Sequence, residues 1–194
     1  FVPLCLLAAT MAFTRMDNLS AAKGNPGVYA EAAKAPHTWV LSLVYIGTFG
    51  SFIGYSVAFP TLLKSAFPQV GLSIAFLGAL VGSLSRPLGG AIADRVGGAR
   101  VTIASLGAIA LGAVGAIAGL QARSFWLFLI SFLWLFVFTG IGNGSVYRMI
   151  PAVFDTLAPT SDSNRVRARA LTAGCIGIAG AVGAFGGFLI PRGF

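Results

Sequence analysis

The stretch Leu72-Ser-Ile-Ala-Phe-Leu-Gly-Ala-Leu-Val-Gly-Ser-Leu-Ser-Arg86-Pro-Leu-Gly-Gly-Ala-Ile-Ala93 decides how this chain is to be read. It is long enough to cross a hydrocarbon core, which takes about 20 apolar residues as a helix. It carries a single charge, Arg86. A charged side chain at the bilayer centre costs about 2.5–3.5 kcal/mol on insertion scales. The usual remedy is a buried acid. The five acids, Asp17, Glu31, Asp94, Asp155 and Asp162, all fall in expected loops or at expected helix ends. Arg86 is therefore a candidate anion-binding group. The competing reading is an arginine that snorkels to the interface. Asp94 lies eight residues on, about 12 Å away at 1.5 Å per residue, which is a long reach.

Composition agrees with a membrane chain. Of 194 residues, 57% are hydrophobic and 9% charged, against roughly 25% charged in soluble domains. The expected class is an all-α integral membrane protein. A net charge of +8 does not indicate nucleic acid, because the thirteen Lys and Arg are scattered over short loops with no aromatic-rich platform beside them. Cys5 and Cys175 lie in apolar segments without neighbouring His, so neither a disulfide nor a metal site is expected. No cofactor is expected. The spans carry no constellation of His, Asp and Glu, so an enzyme is not expected either.

Outward from Arg86, five full spans are predicted at 39–63, 72–93, 101–120, 125–154 and 168–190. Phe1–Phe13 reads as the tail of a sixth. The fourth span is long enough to project beyond the bilayer. Segment 14–38 is polar and rich in Ala, Gly and Asn, and reads as a flexible linker. Trp39 ends it as an interfacial anchor, and His37 is read as a solvated loop residue. One set of alternate loops holds Arg15, Lys23, Lys34, Arg95, Arg100, Arg165, Arg167 and Arg169, and the other holds Lys64, Arg123 and Arg192. The positive-inside rule makes the first side, with loops 14–38, 94–100 and 155–167, cytoplasmic. The expected location is the inner (plasma) membrane.

Small residues recur at helix-packing spacing, in stripes that let backbones approach closely. They are Gly47, Gly50, Gly54 and Ala58; Gly78, Gly82 and Gly89; Ala108, Gly112, Gly115 and Gly119; and Ala173, Gly177, Gly180, Ala184 and Gly187. They are structural by default, and smooth faces can also rock past one another.

Arg86 shares the face of Gly78 and Gly82, where small neighbours leave room for a ligand. Pro87 removes a backbone donor beside it. Tyr45, Phe49, Phe52 and Ser56 share one face of the preceding span, with its Gly stripe opposite. They read either as packing aromatics or as the wall of an anion cavity, with the Tyr45 hydroxyl as donor. A guanidinium offers two parallel donors to a small planar oxyanion, and apolar walls strengthen that attraction. Gly140-Ile-Gly142-Asn143-Gly144-Ser145 interrupts the fourth span with small polar residues. Asn143 reads equally as an anion donor or as a bond between helices. Arg148, seven residues before Asp155 on the same face, reads as snorkelling or salt-bridged.

The loop Gly90-Ala-Ile-Ala-Asp94-Arg95-Val-Gly97-Gly98-Ala-Arg100 fits G-x-x-x-D-[RK]-x-G-x-x-R. Between two spans, on the side predicted to be cytoplasmic, it resembles the major facilitator superfamily motif found between helices two and three and between eight and nine. Further stretches resemble the NarK-type nitrate/nitrite porters within that superfamily. These are Ser42 to Gly54 with Tyr45 and Phe49, Ser85-Arg86-Pro-Leu-Gly-Gly90, Gly142-Asn-Gly-Ser145 with Arg148-Met-Ile-Pro151, and Gly180-Ala-Val-Gly-Ala-Phe-Gly-Gly-Phe188. The last resembles the second Gly-rich nitrate motif of that family.

The resemblance implies a half-bundle, with residues 1–13 the end of helix 6, 14–38 the linker between halves and 39–194 helices 7 to 11. It implies that Arg86 contacts nitrate or nitrite, that Tyr45 and Phe49 line the pocket, and that Gly177, Gly180, Gly183, Gly186 and Gly187 form the Gly-rich motif. The expected partners are the anion, the lipid bilayer and an N-terminal half bearing a second essential arginine. That half and helix 12 are expected to be missing from this stretch, which alone is expected to be inactive. The expected function is alternating-access transport, with a lean to nitrate/nitrite exchange over proton coupling. A facilitator for another small anion, and a non-transporting subunit or anion channel, remain alternatives.

Overall fold

A computed structural model describes residues 2–16, 26–157 and 162–193. Among them the regular structure is all helical: α1 (Val2–Arg15), α2 (Pro26–Lys34), α3 (Pro36–Tyr45), a π-helical turn (Ile46–Gly50), α4 (Ser51–Ala66), a 3-10 turn (Leu72–Ile74), α5 (Phe76–Val96), α6 (Gly98–Gln121), α7 (Phe125–Leu157), α8 (Asp162–Ala184), α9 (Gly186–Leu189) and a 3-10 turn (Ile190–Gly193). Five stretches are long and apolar enough to cross a membrane: Pro36–Ala66, Leu72–Val96, Gly98–Gln121, Phe125–Leu157 and Arg165–Arg192. They coincide with the five predicted spans. The chain is a multi-pass membrane protein of the half-bundle type. α1 is apolar and buries none of its residues here.

α7 is the central post, packed along both α5 and α6. Its 33 residues extend about 50 Å at 1.5 Å per residue, past a hydrocarbon core of about 30 Å. Its first half packs by bulk. Phe128, Phe132 and Phe136 are buried against Tyr55, Phe59, Leu63 and Phe67 of the α4 segment, with Phe59 stacked on Phe132 at 5.0 Å between centroids.

The second half of α7 packs by close approach. A Cβ on Gly89 would meet the Ile141 carbonyl, one on Gly140 would meet Ser85 Oγ and the Gly82 carbonyl, and one on Gly144 would meet the Arg86 carbonyl. The residues α5 buries are Gly78, Gly82, Ser85, Gly89 and Ala93, while Phe76, Leu80, Leu84 and Leu88 are exposed. Such a small-inside, large-outside face is what lipid favours, since tails solvate leucine as well as a core does. The stripe on α6 behaves likewise: Gly112 lies against Leu135, Gly115 against Ser131 and Gly119 against the Phe128 backbone.

Four expectations need correction. Segment 14–38 is not irregular throughout: α2 occupies its second part and seats Ala32 on Gly174 and Tyr29 on Gly177 of α8, with Arg167 Nε donating to Glu31 at 2.6 Å. Residues 17–25 lie outside the described residues. His37 is exposed as expected, but it sits in the first turn of α3 and not in a loop; Trp39, also exposed at the start of that span, donates from Nε1 to the Ala33 carbonyl at 2.8 Å and so ties α3 to α2 as well. Pro36 starts α3 at a position where its missing N–H is not needed.

The stripe Gly47, Gly50, Gly54 does not form one face. The π turn, in which the Ser51 N–H reaches the Ile46 carbonyl, adds a residue to one turn and shifts the phase. Gly47 faces Leu106 on α6, whereas Gly50 and Gly54 face Gly186 and Ile190. Finally, of the α8 stripe only Gly177, against Tyr29, and Gly187, against Ile53, pack closely; Gly180 has open space where a Cβ would stand, and Ala173 and Ala184 are exposed. The buried side is Ala168, Cys175, Ala179, Gly183 and Gly186. Small size permits close packing on either face, and the larger apolar neighbours on α3 and α7 chose the other.

Candidate functional site

The glycine contacts between α5 and α7 bring the Arg86 backbone against Gly144. The residue just before it on α7 is Asn143, fully buried. Arg86 donates from a terminal guanidinium nitrogen to Asn143 Oδ1 at 3.2 Å. Among the described residues the ion pairs are Arg148 with Asp94 and Arg167 with Glu31, so Arg86 meets an amide rather than an acid. Asn143 Nδ2 is buried with no partner. A buried donor left open costs about 1–3 kcal/mol. An arginine held by an amide oxygen, next to an unfilled amide donor, is an electropositive arrangement with donors to spare.

The aromatic residues gather from the other side. The Arg86 guanidinium carbon lies 5.8 Å from the Phe49 ring centroid, within cation–π range. Phe49 stacks on Tyr45 at 5.0 Å and 20°, and Tyr45 meets Tyr147 at 5.7 Å. Thus Arg86, Asn143, Phe49 and Tyr45 form one chain of contacts. Phe52 and Ser56, which share the expected face, depart from it. Phe52 packs edge-on against Phe136, and Ser56 Oγ donates to its own helix at the Phe52 carbonyl.

A cavity of about 470 Å³ opens beside this cluster, within the size range of small-molecule sites. Ser83, Arg86, Pro87, Asn143, Tyr147 and Arg148 are among the residues that line it. Tyr147 was not singled out from the sequence. Its position one helical turn after Asn143 was the available signal, since residues four apart share a face.

The loop motif is built at the far end of the same two helices. Gly97 turns the α5–α6 hairpin at φ 97°, a conformation glycine adopts without a Cβ clash. Ser145 Oγ of α7 donates to the Gly98 carbonyl at 2.8 Å and lies 3.0 Å from Thr102 Oγ1, pinning the hairpin to α7. Gly90 lies against the Gly144 carbonyl. Arg95 and Arg100 are exposed. Arg148 Nε donates to Asp94 Oδ1 at 2.6 Å. Its partner is therefore not Asp155: the close α5–α7 approach brings Asp94 within reach, which helix spacing within α7 alone does not reveal. Of the Gly-rich set, Gly183 packs on Tyr45 and Phe49, Gly186 on Gly50, Gly187 on Ile53 and Gly177 on Tyr29, while Gly180 faces open space. Two of these glycines thus help shape the aromatic wall and its backing.

Comparison with known proteins fits this architecture. The chain is 37% identical over 206 residues to the nitrate/nitrite transporter NarU of Salmonella typhimurium, an alignment covering 100% of this chain and 45% of that protein. It is 34% identical over 206 residues to the Escherichia coli NarU, with the same coverage. It is 35% identical over 199 residues to a probable nitrate/nitrite antiporter NarK2 of Thermus thermophilus, covering 97% of this chain and 41% of that one. The chain spans less than half the length of these curated relatives. The model of the Major Facilitator Superfamily matches residues 1–191. With its helical half-bundle and its hairpin motif, the chain belongs to the Major Facilitator Superfamily.

Proposed function

We propose that this chain forms helices 7 to 11 of a carrier that moves nitrate and/or nitrite across the plasma membrane by alternating access, and that residues 1–13 and 14–38 supply the end of helix 6 and the linker between halves. The observation that carries this reading is Arg86: an intramembrane cation bonded to an amide, backed by Phe49, beside a cavity. Arg86 neutralises the anion through its fork of donors, Asn143 Nδ2 offers a further donor, Phe49 confines the anion from one face, and Tyr45 supports Phe49. The names of the relatives, nitrate/nitrite transporters and a probable antiporter, support the choice of anion. The role is binding and passage, with no covalent chemistry.

Exchange is favoured over proton coupling. The acids in the described spanning helices stand at their ends, Asp94 on α5, Asp155 on α7 and Asp162 on α8, so this part of the carrier offers no carboxylate at depth to load a proton. Nitrate-dependent alkalinisation outside vesicles holding the full-length protein would count against exchange.

Arg86→Lys in the full-length protein tests the site. Lysine keeps the charge and loses the planar fork. A hydrogen bond to a charged group is worth about 1.5–3 kcal/mol, so nitrate transport efficiency falls about 10- to 100-fold while the protein still inserts. Near-normal transport by the lysine variant would sink the planar-recognition argument.

A further inference from the structure

The cavity that starts at Arg86 does not end there. Its lining runs along α5 from Ser83 to Gly90 and along α7 from Asn143 to Pro151, about 10–12 Å at 1.5 Å per residue. Both helices run toward the α5–α6 hairpin, so the cavity leads from the Arg86 level toward that end. It contains a second guanidinium, Arg148. Arg148 differs from Arg86 in one respect: a carboxylate of the same chain, Asp94, already sits on it at 2.6 Å. Both members of that pair are well exposed, at 64% and 46%. An exposed pair of this kind is weak and screened by salt, so an anion arriving along the cavity competes with Asp94 on nearly even terms. Asp94 belongs to the hairpin itself, one turn before Gly97.

We propose that Arg148 is a second anion station, between Arg86 and the cytoplasmic mouth, and that Asp94 is its resident competitor. In this view the Asp94 carboxylate occupies the station when no substrate is present. A nitrate or nitrite ion passing from Arg86 takes the Arg148 guanidinium, and Asp94 is released from α7. Substrate passage and the hairpin's attachment to α7 thereby exclude each other. The step forms and breaks no covalent bond; it exchanges one oxyanion for another on the same donors. The proposal rests on the reading of the chain as part of a small-anion carrier, and it adds a site and a role for the motif aspartate that the reading does not contain.

Inside-out membrane vesicles holding the full-length protein expose the cytoplasmic mouth, and nitrate is the probe. Asp94→Asn removes the competitor and lowers the nitrate concentration for half-maximal uptake about two- to fivefold, the range set by an exposed ion pair. Arg148→Gln removes the station and raises that concentration. The double variant behaves as Arg148→Gln alone, because the competitor no longer has a target. Arg148→Lys, which keeps the charge and loses the planar fork, raises that concentration less than Arg148→Gln does and guards against a folding artefact. If the pair is only a structural clasp, Asp94→Asn and Arg148→Gln shift half-saturation in the same direction, and the proposal is overturned while the carrier reading stands. If wild-type vesicles show no saturable nitrate uptake, both fall together.

Discussion

The two ends of α7 hold the bundle together by opposite means. From Phe128 to Phe136 it presents aromatic rings that fill space against Tyr55, Phe59 and Phe67. From Thr139 to Ser145 it presents glycine, threonine, asparagine and serine, and α5 approaches until backbone meets backbone. The bulky end is dominated by ring packing. The close-packed end holds Arg86, Asn143 and the Ser145 staple. The difference teaches where a polar site can live inside a membrane bundle. Backbones in contact leave no room for lipid or for bulky side chains between them, so a long polar side chain at the edge of that contact finds fixed partners. Rings that pack by volume tolerate rearrangement and offer few hydrogen bonds.

Substituting one residue at each end breaks the comparison most severely. Gly89→Val drives a branched side chain into the Ile141 carbonyl, which cannot step aside without moving α7. Overpacking of this kind costs about 3 kcal/mol or more when the obstacle is backbone, and the full-length protein should fail to purify as a monodisperse species. Phe59→Ala at the other end leaves a cavity, with a cost of about 3 kcal/mol at the low end of the range for such truncations, because lipid removes part of the hydrophobic term. Its protein should purify but melt at lower temperature. If Gly89→Val were the milder of the two, the claim that the α5–α7 seam is backbone-limited would be wrong.

Asn143→Asp sharpens the contrast without disturbing packing. It sets a carboxylate where an amide oxygen now accepts from Arg86 at 3.2 Å. The folded protein should be as thermally stable as wild type or more so, because a half-buried arginine gains its acid. Nitrate transport should be lost, because the anion's place on Arg86 is taken. Retained transport would show that Arg86 does not bind the substrate. The smallest effect is expected at Gly180→Ala, where the added methyl meets nothing within 4 Å. Stability should change by less than about 0.5 kcal/mol, read as an unchanged melting temperature. Loss of transport with stability intact would show that this open face of α8 meets another part of the full-length protein.

Much of the molecule was legible beforehand, and the reasons are local. The five spans follow from hydrophobic length, and the hairpin from Gly97 between Asp94 and Arg100. The stripe on α5 could be read because the residues that helix buries are all small, while Phe76, Leu80, Leu84 and Leu88 lie elsewhere around the axis; on α6 the glycines share the buried face with Val101 and Ile109. The stripe on α8 misled because that helix has small residues on two faces, and periodicity does not say which face a neighbour will choose. The π turn was invisible for a related reason: a helix-spaced pattern presumes a constant 3.6-residue period, and one inserted residue between Tyr45 and Ser51 breaks it. The role of α2 was hidden by its short length and small residues, since its anchoring comes from Tyr29, Ala32 and Glu31 meeting α8, 136 positions away in the case of the Glu31–Arg167 bond.

By itself, the sequence determined that this is a multi-pass helical membrane chain with one arginine stranded at depth, because hydrophobic length and charge placement are properties of single segments. Only the tertiary structure decided what Arg86 and Arg148 touch. Asn143 is 57 positions from Arg86 and Asp94 is 54 from Arg148, and both pairings come from the glycine seam that sets the register of α7 on α5. That register is an outcome of two surfaces fitting, and a linear pattern on either helix alone does not contain it.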